Sequence, residues 1–192
     1  MKSIILIGGG GHCKSCIDVI ESEGKYNIAG ILDSIKPSGE NVLGYPVLGY
    51  IDILDRLIEQ DYSFLITVGQ IYNVEPRIEL YKLLVSRGAK MPVIISPLAR
   101  VSKHAIIGQG TIVMHFALVN AAASVGVNCI LNSKSLIEHD VSIGDHCHIS
   151  TGSLLNSGVQ IGSGSFVGSG ATFKQGARIE KNSFIKANSL VI

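Results

Sequence analysis

The chain has 192 residues, enough for two small domains, and 16 basic against 15 acidic residues leave it nearly neutral, which gives no support to a nucleic-acid partner. Mean hydropathy is high at +0.38, yet no apolar run approaches the ~20 residues of a membrane span, so the excess points to an apolar interior and subunit contacts. The N-terminus passes directly into a strand without a signal-peptide pattern, and a cytoplasmic protein is expected.

In chain order, Ser3 to Ile7 reads as an apolar strand, followed by Gly8-Gly9-Gly10-Gly11-His12 and a helix carrying Ile17, Val19 and Ile20. A second strand, Ile28 to Leu32, ends at Asp33; a looser stretch holds Gly44-Tyr45-Pro46-Val47 before a helix near Ile51 to Glu59. Phe64 to Val68 is a third strand closed by Gly69, and Glu75 to Ser86 an amphipathic helix stopped at Gly88. Strands alternating with helices imply a parallel α/β unit, a Rossmann-like half domain over residues 1–92.

Glycines between the first strand and helix let backbone N–H groups approach a phosphate, and His12 adds a polar group at the same lip. The same glycines could merely make a tight turn. The full dinucleotide fingerprint is absent, because its last glycine would fall at Cys13. Asp33 suggests a ribose or base contact, and Gly69 would border the same crevice at the carboxyl ends of the strands. Cys13 and Cys16 form a C-x-x-C pair at a helix start rather than in a thioredoxin-like setting, so redox chemistry is the lesser reading.

From Ile95 to Val191 an aliphatic or phenyl residue falls on every sixth position without a slip in phase, and the residue two before each later member is small or slender. This is the signature of a hexapeptide parallel β-helix over residues 93–192. The large residue fills the axis of a three-sided coil, and the residue two before also points inward, near a corner. Eighteen residues close one turn, so the repeats make a little over five coils. Glycine just after the large residue (Gly108, Gly126, Gly144, Gly162, Gly168) suits corners where positive φ or crowding excludes a Cβ. Cys129 and Cys147, 18 apart at the inward position, should stack as buried free thiols.

His139 lies two residues past the inward Ile137, at an outward corner between Glu138 and Asp140. A carboxylate beside an imidazole raises its basicity and holds one tautomer, as general-base catalysis needs, although an exposed histidine flanked by acids is often only a solvated corner. Zinc is the competing use of histidine on such a scaffold. Among His104, His115, His139, His146 and His148 none are 18 apart, and no metal is expected.

The strand–GGGGH–helix, the strands ending in Asp33 and Gly69, and the hexad domain carrying Ile137-Glu138-His139-Asp140 together resemble the sugar O-acyltransferase family. That family includes sialic-acid O-acetyltransferases and N-acetyltransferases of nucleotide-linked 4-amino-4,6-dideoxy sugars. The resemblance implies a left-handed β-helix, a homotrimer, and acetyl-CoA bound between neighbouring prisms. By position it implies that Gly10, Gly11 and His12 contact the nucleotide sugar, Asp33 and Ser34 its base or ribose, and Gly69 its phosphates. His139 would be the general base, assisted by Asp140, and His148 would contact the thioester region.

Spacing adds candidates for the cofactor: Ser157, one coil past His139, and Ser169 and Ala187 on a column of small outward corners. The expected activity is N-acetylation of a nucleotide-linked 4-amino sugar by direct transfer from acetyl-CoA. Sialic-acid O-acetylation is the near alternative. A non-catalytic β-helix oligomer with a nucleotide-sensing domain is the alternative of a different class.

Overall fold

The computed structural model describes all 192 residues. They group into two compact units: Met1–Gly69 with Glu75–Pro92, and Gln70–Val74 with Val93–Ile192. Residues 70–74, expected within a continuous 1–92 domain, therefore belong with the second unit, to which their side chains and backbone bond.

The first unit holds β1 (Lys2–Ile7), α1 (Gly11–Glu23), β2 (Tyr26–Leu32), β3 (Asn41–Val42), β4 (Tyr45–Gly49), a 3₁₀ turn at Ile51–Ile53, α2 (Leu54–Glu59), β5 (Ser63–Ile66) and α3 (Glu75–Ser86). Its sheet runs in the order β3-β4-β2-β1-β5, parallel throughout except for β3 against β4. β1 is a fully apolar run, Ile4 to Ile7, because both of its faces are buried. It sits between β2 and β5, with Ile7 opposite Leu32 on one side and Ile66 on the other. The strand order reverses there, so the three strand ends frame a crevice. α1 buries Cys13, Cys16, Ile17, Val19 and Ile20 and stops at Gly24, whose φ of 66° lets its N–H reach Ile20 O.

The stretch around Pro46, expected to be loose, is ordered as β4: Val47 pairs with Ile31 of β2, and Asn41 of β3 pairs with Pro46. Proline has no N–H to donate to a ladder, and this hides the strand from a propensity reading.

The second unit is the hexad prism. Its two-residue strands stack into three parallel sheets of six, five and six strands. Partners are 18 residues apart, as in Leu136 opposite Leu154 and Ile137 opposite Leu155. The large residues fill the axis with the inward small ones: Ile137, Leu155 and Phe173 are buried together with Ala123, Cys129, Ser135 and Ser153. Cys129 and Cys147 are free and buried, with Cys147 N–H 3.4 Å from Cys129 Sγ on the adjacent coil.

The corner glycines prove to serve crowding alone. A Cβ on Gly126 would sit 2.7 Å from Asp145 N and Gly144 C, where no side-chain carbon fits. Positive φ falls two places later, at every sixth residue from Gly110 to Asn188, and is held by Lys134 and Asp140 as well as by glycines. Asparagine, aspartate and histidine tolerate that left-handed conformation best among residues with a Cβ, and Asn128, Asp140 and His146 take it here.

These two corner positions predict different costs. Gly126→Ala is expected to destabilise the prism by about 2–3 kcal/mol through overpacking. Gly152→Ala, which meets open space at φ 67°, is expected to cost only about 1 kcal/mol. Denaturant unfolding of the two variants reads the order directly.

Candidate active site

The first unit contains a cavity of about 470 Å³ at the carboxyl ends of its strands. Gly10, Gly11, His12, Asp33, Ser34 and Gly69 all line it, so the six substrate-site candidates of the first domain converge on one place. Its remaining walls are largely apolar. The four glycines divide in their work. Gly8, at φ 107°, lies so close to Val68 that a Cβ would meet its backbone N at 2.9 Å. Gly10 and Gly11 meet nothing within 4 Å and leave the backbone open. Gly10 caps α1 without a side-chain bond, so the first N–H groups of the helix depend on other acceptors.

Asp33 holds this loop in shape. Its Oδ2 accepts Gly9 N–H at 2.5 Å, and its Oδ1 accepts the N–H groups of Ile35 and Lys36, both at 2.8 Å. Partial burial acts to raise its pKa. The backbone donors of Lys36, Gly9 and Ile35, with the Lys36 ammonium, outweigh that and hold the carboxyl below the usual carboxylate range. Thr67 hydroxyl donates to Gly8 O at 2.7 Å. Arg77, 1% exposed on α3, donates from Nη1 to Ile66 O at 3.0 Å and Val68 O at 2.7 Å, tying down the end of β5. Nothing in the sequence distinguished Arg77 from the solvated charges of an amphipathic helix, and Thr67 read only as a strand residue.

On the prism, His139 stands at an exposed corner with Nδ1 2.7 Å from Asp140 Oδ2 and Nε2 2.8 Å from Ser157 Oγ. An ionised carboxylate only accepts, so Nδ1 carries the proton and the Nε2 lone pair faces the Ser157 hydroxyl, which donates. Asp140 reaches the ring because it takes the left-handed corner conformation, φ 61°. Glu138 turns the other way, accepting Asn120 Nδ2 at 2.9 Å and lying 3.3 Å from His139 N–H.

His148 is placed differently. It is buried, with Nδ1 2.6 Å from Gln70 O and Nε2 3.2 Å from Asn132 Nδ2. A carbonyl accepts only, so Nδ1–H donates and Nε2 accepts. Asn132 agrees, because its Oδ1 accepts Ser133 N–H at 2.8 Å and its amide nitrogen is the group turned to the ring. Gln70 is itself buried and donates from Nε2 to His146 O at 3.1 Å. Tyr72 stacks on Phe184 (5.0 Å between centroids) and Phe184 on Phe166 (5.1 Å), while Phe166 meets His148 edge-on at 5.2 Å. Segment 70–74 thus locks His148 in one tautomer. The family resemblance pointed to His148, but a contact 78 residues away leaves no local signal.

Ser169 and Ala187 are exposed, 18 residues apart. Ser169 Oγ lies 2.9 Å from Ser150 Oγ. The structure brings Ser157 to His139 and leaves Ser169 and Ala187 on a separate corner column. No three His, Cys, Asp or Glu side chains cluster as metal ligands would. No helix is long and apolar enough to cross a membrane.

A parallel hexapeptide β-helix bearing a carboxylate-held corner imidazole shares the chain with an α/β unit whose cavity is glycine-lined, the architecture of a hexapeptide-repeat acyltransferase. Comparison with known proteins agrees. Residues 3–84 match the PglD N-terminal domain. A UDP-N-acetylbacillosamine N-acetyltransferase of Bacillus subtilis (strain 168) is 34% identical over 118 residues, which is 59% of this chain; the matched part spans about half, 52%, of that relative.

Among solved structures, the acetyltransferase domain of PglB from Neisseria gonorrhoeae FA1090, in complex with acetyl coenzyme A, superposes with a TM-score of 0.91 at 29% identity, covering 99% of this chain and 92% of that one. A mutant perosamine N-acetyltransferase from Caulobacter crescentus, in complex with CoA and GDP-perosamine, gives 0.93 at 30% identity, covering 100% and 89%. The chain belongs to this family of left-handed β-helix sugar acetyltransferases with a PglD-type N-terminal domain.

The Asp33 contacts predict an acid-sensitive loop. A carboxyl with a depressed folded pKa contributes stability that is complete above its unfolded value, near 3.9, and is lost as pH falls through the folded value. The stability difference between wild type and Asp33→Asn should be constant above about pH 5 and shrink below about pH 4. Urea unfolding across that range checks it, and a difference that persists on acidification would contradict the assignment.

Proposed function

We propose that this protein transfers the acetyl group of acetyl-CoA to the 4-amino group of a nucleotide-linked 4-amino-4,6-dideoxy sugar. One observation carries the reading: the His139 Nε2 lone pair is aimed outward at a corner, with Asp140 fixing the opposite nitrogen. An amine attacks a thioester only as the free base. His139 Nε2 takes a proton from the attacking nitrogen while the new N–C bond forms, and Asp140 stabilises the imidazolium as it develops. Collapse of the tetrahedral species breaks the C–S bond, and the proton passes from His139 to the departing thiolate. No acyl-enzyme is needed. Ser157, hydrogen-bonded to Nε2 here, occupies the position the amine must take or approach.

On this reading the first-unit cavity holds the nucleotide sugar. The glycine backbone at Gly10 and Gly11 and the side chain of His12 lie toward its phosphates, with Gly69 beside them, and Asp33 and Ser34 lie toward its ribose or base. Acetyl-CoA runs along prism corners, where Ser157, Ser169 and Ala187 leave room for a pantetheine arm and His148 stands near the thioester. The assembly is a homotrimer, supported by the outward leucines Leu118, Leu136, Leu154 and Leu190 along one prism face. Neighbouring free thiols in the prism suit a reducing, cytoplasmic setting.

The decisive assay follows free thiol release from acetyl-CoA with UDP-, GDP- and dTDP-linked 4-amino sugars and with sialic acids. Release above the sugar-free rate is expected only with an amino sugar; such release only with a sialic acid would overturn the reading in favour of O-acetylation. His139→Ala should lower kcat by about 10²–10⁴-fold while acetyl-CoA binding, measured by calorimetry, survives. A near-normal rate in that variant would remove His139 as the base.

A further inference from the structure

The hydroxyl that fills the amine's place beside His139 is itself a nucleophile. Ser157 Oγ lies 2.8 Å from His139 Nε2, and His139 Nδ1 lies 2.7 Å from Asp140 Oδ2. Hydroxyl, imidazole and carboxylate stand in series, each within hydrogen-bond reach of the next, which is the arrangement that activates a serine. We propose that Ser157, His139 and Asp140 form a nucleophilic triad with a second activity: hydrolysis of acetyl-CoA through an acetyl-Ser157 ester when no amino sugar is bound. The inference rests on the reading that brings acetyl-CoA to the His139 corner.

The carboxylate keeps the ring proton on Nδ1, so the Ser157 O–H is directed at the Nε2 lone pair, as proton removal requires. The prism fixes the pair, because Gly158 N–H donates to His139 O at 3.1 Å and ties one corner to the next. Access separates this serine from others near an imidazole. The His139 and Asp140 side chains are 54% and 65% exposed, whereas Ser96, 2.6 Å from His115 Nδ1, is 1% exposed and closed to a cofactor.

In the first step Ser157 Oγ attacks the thioester carbonyl carbon and passes its proton to His139 Nε2. The new O–C bond forms, the C–S bond breaks, and the proton leaves with sulfur as the CoA thiol. Water then attacks the ester carbonyl and gives a proton to Nε2. The bond from Oγ to the acetyl carbon breaks, the proton returns to Oγ, and acetic acid departs. An amine seated at Nε2 displaces the hydroxyl and takes the acetyl group directly, so bound amino sugar suppresses the ester.

The test incubates the full chain with acetyl-CoA and no sugar, follows thiol release, and maps the acid-quenched protein by peptide mass. The wild type should release thiol faster than buffer alone and carry one acetyl group on Ser157, removable by hydroxylamine. Ser157→Ala and His139→Ala should each lower sugar-free release by about 10²-fold or more and carry no such ester. Ser157→Cys keeps a nucleophile and should carry the acetyl group as a thioester. Undiminished release in Ser157→Ala would show water attacking directly and overturn the proposal, as would an acetyl group found only on other residues. Turnover of an amino sugar with neither sugar-free release nor ester would strike this inference alone. Acetyl-Ser157 in a protein that acetylates no amino sugar would uphold it and strike the functional reading instead.

Discussion

Everything on the prism depends on the coil-to-coil hydrogen-bond ladder. Each coil donates its strand N–H groups to carbonyls 17 residues on, as in Leu136 N to Ser153 O at 2.8 Å and Glu138 N to Leu155 O at 3.0 Å. Neighbouring coils are thereby held one strand spacing apart, roughly 4.8 Å. The register cannot slip by one, because the axis would then have to accept the outward residues, Glu138 among them, in place of Ile137. That constraint places Ser157 directly along the column from His139, and it stacks Cys147 on Cys129, Phe184 on Phe166 and Leu154 on Leu136.

The corner geometry then turns a structural rule into chemistry. A left-handed residue recurs every sixth position, and at 140 it is an aspartate whose carboxylate meets the preceding imidazole. Exposed ion pairs of this kind add little stability; what the pair supplies is orientation, one nitrogen committed and the other presented. His148 is the complementary case. It is buried, both nitrogens are committed, and rings stack against it, so its environment excludes the exchange with solvent that His139 retains. One prism therefore carries two imidazoles with opposite degrees of freedom, set by which lies at a corner and which on a covered face.

In the α/β unit the controlling constraint is the pairing of β1 with β2 on one side and β5 on the other. All three strands end together, and the loops that follow them must share one crevice. Gly8 permits the close approach to Val68, Asp33 fastens the loop through Gly9, and Arg77 holds the carbonyls at the end of β5. Gly10 and Gly11 are left with open backbone above the cavity. The proposed reading places a nucleotide there, its base against the apolar walls and its phosphates at the glycine backbone.

The hexad period, the inward and outward positions, the corner placement of His139 with Ser157 one coil on, and the strand-end positions of Asp33 and Gly69 were legible in the sequence. They follow from short-range periodicity and from turn chemistry, which act within a few residues or at a constant interval. The strand at Pro46 was not legible, because a residue without an N–H masks a strand that its neighbours complete.

Nor was the crowding at Gly126 separable from positive φ, since both favour glycine. The burial of Arg77 and the clamp of Gln70 on His148 arose only in three dimensions. Which partner a polar group finds depends on what the folded chain brings within hydrogen-bond reach, and no spacing rule connects residue 70 to residue 148. Sequence alone determined the scaffold and the candidate base; tertiary contact alone decided which nitrogen of His139 and of His148 carries the proton.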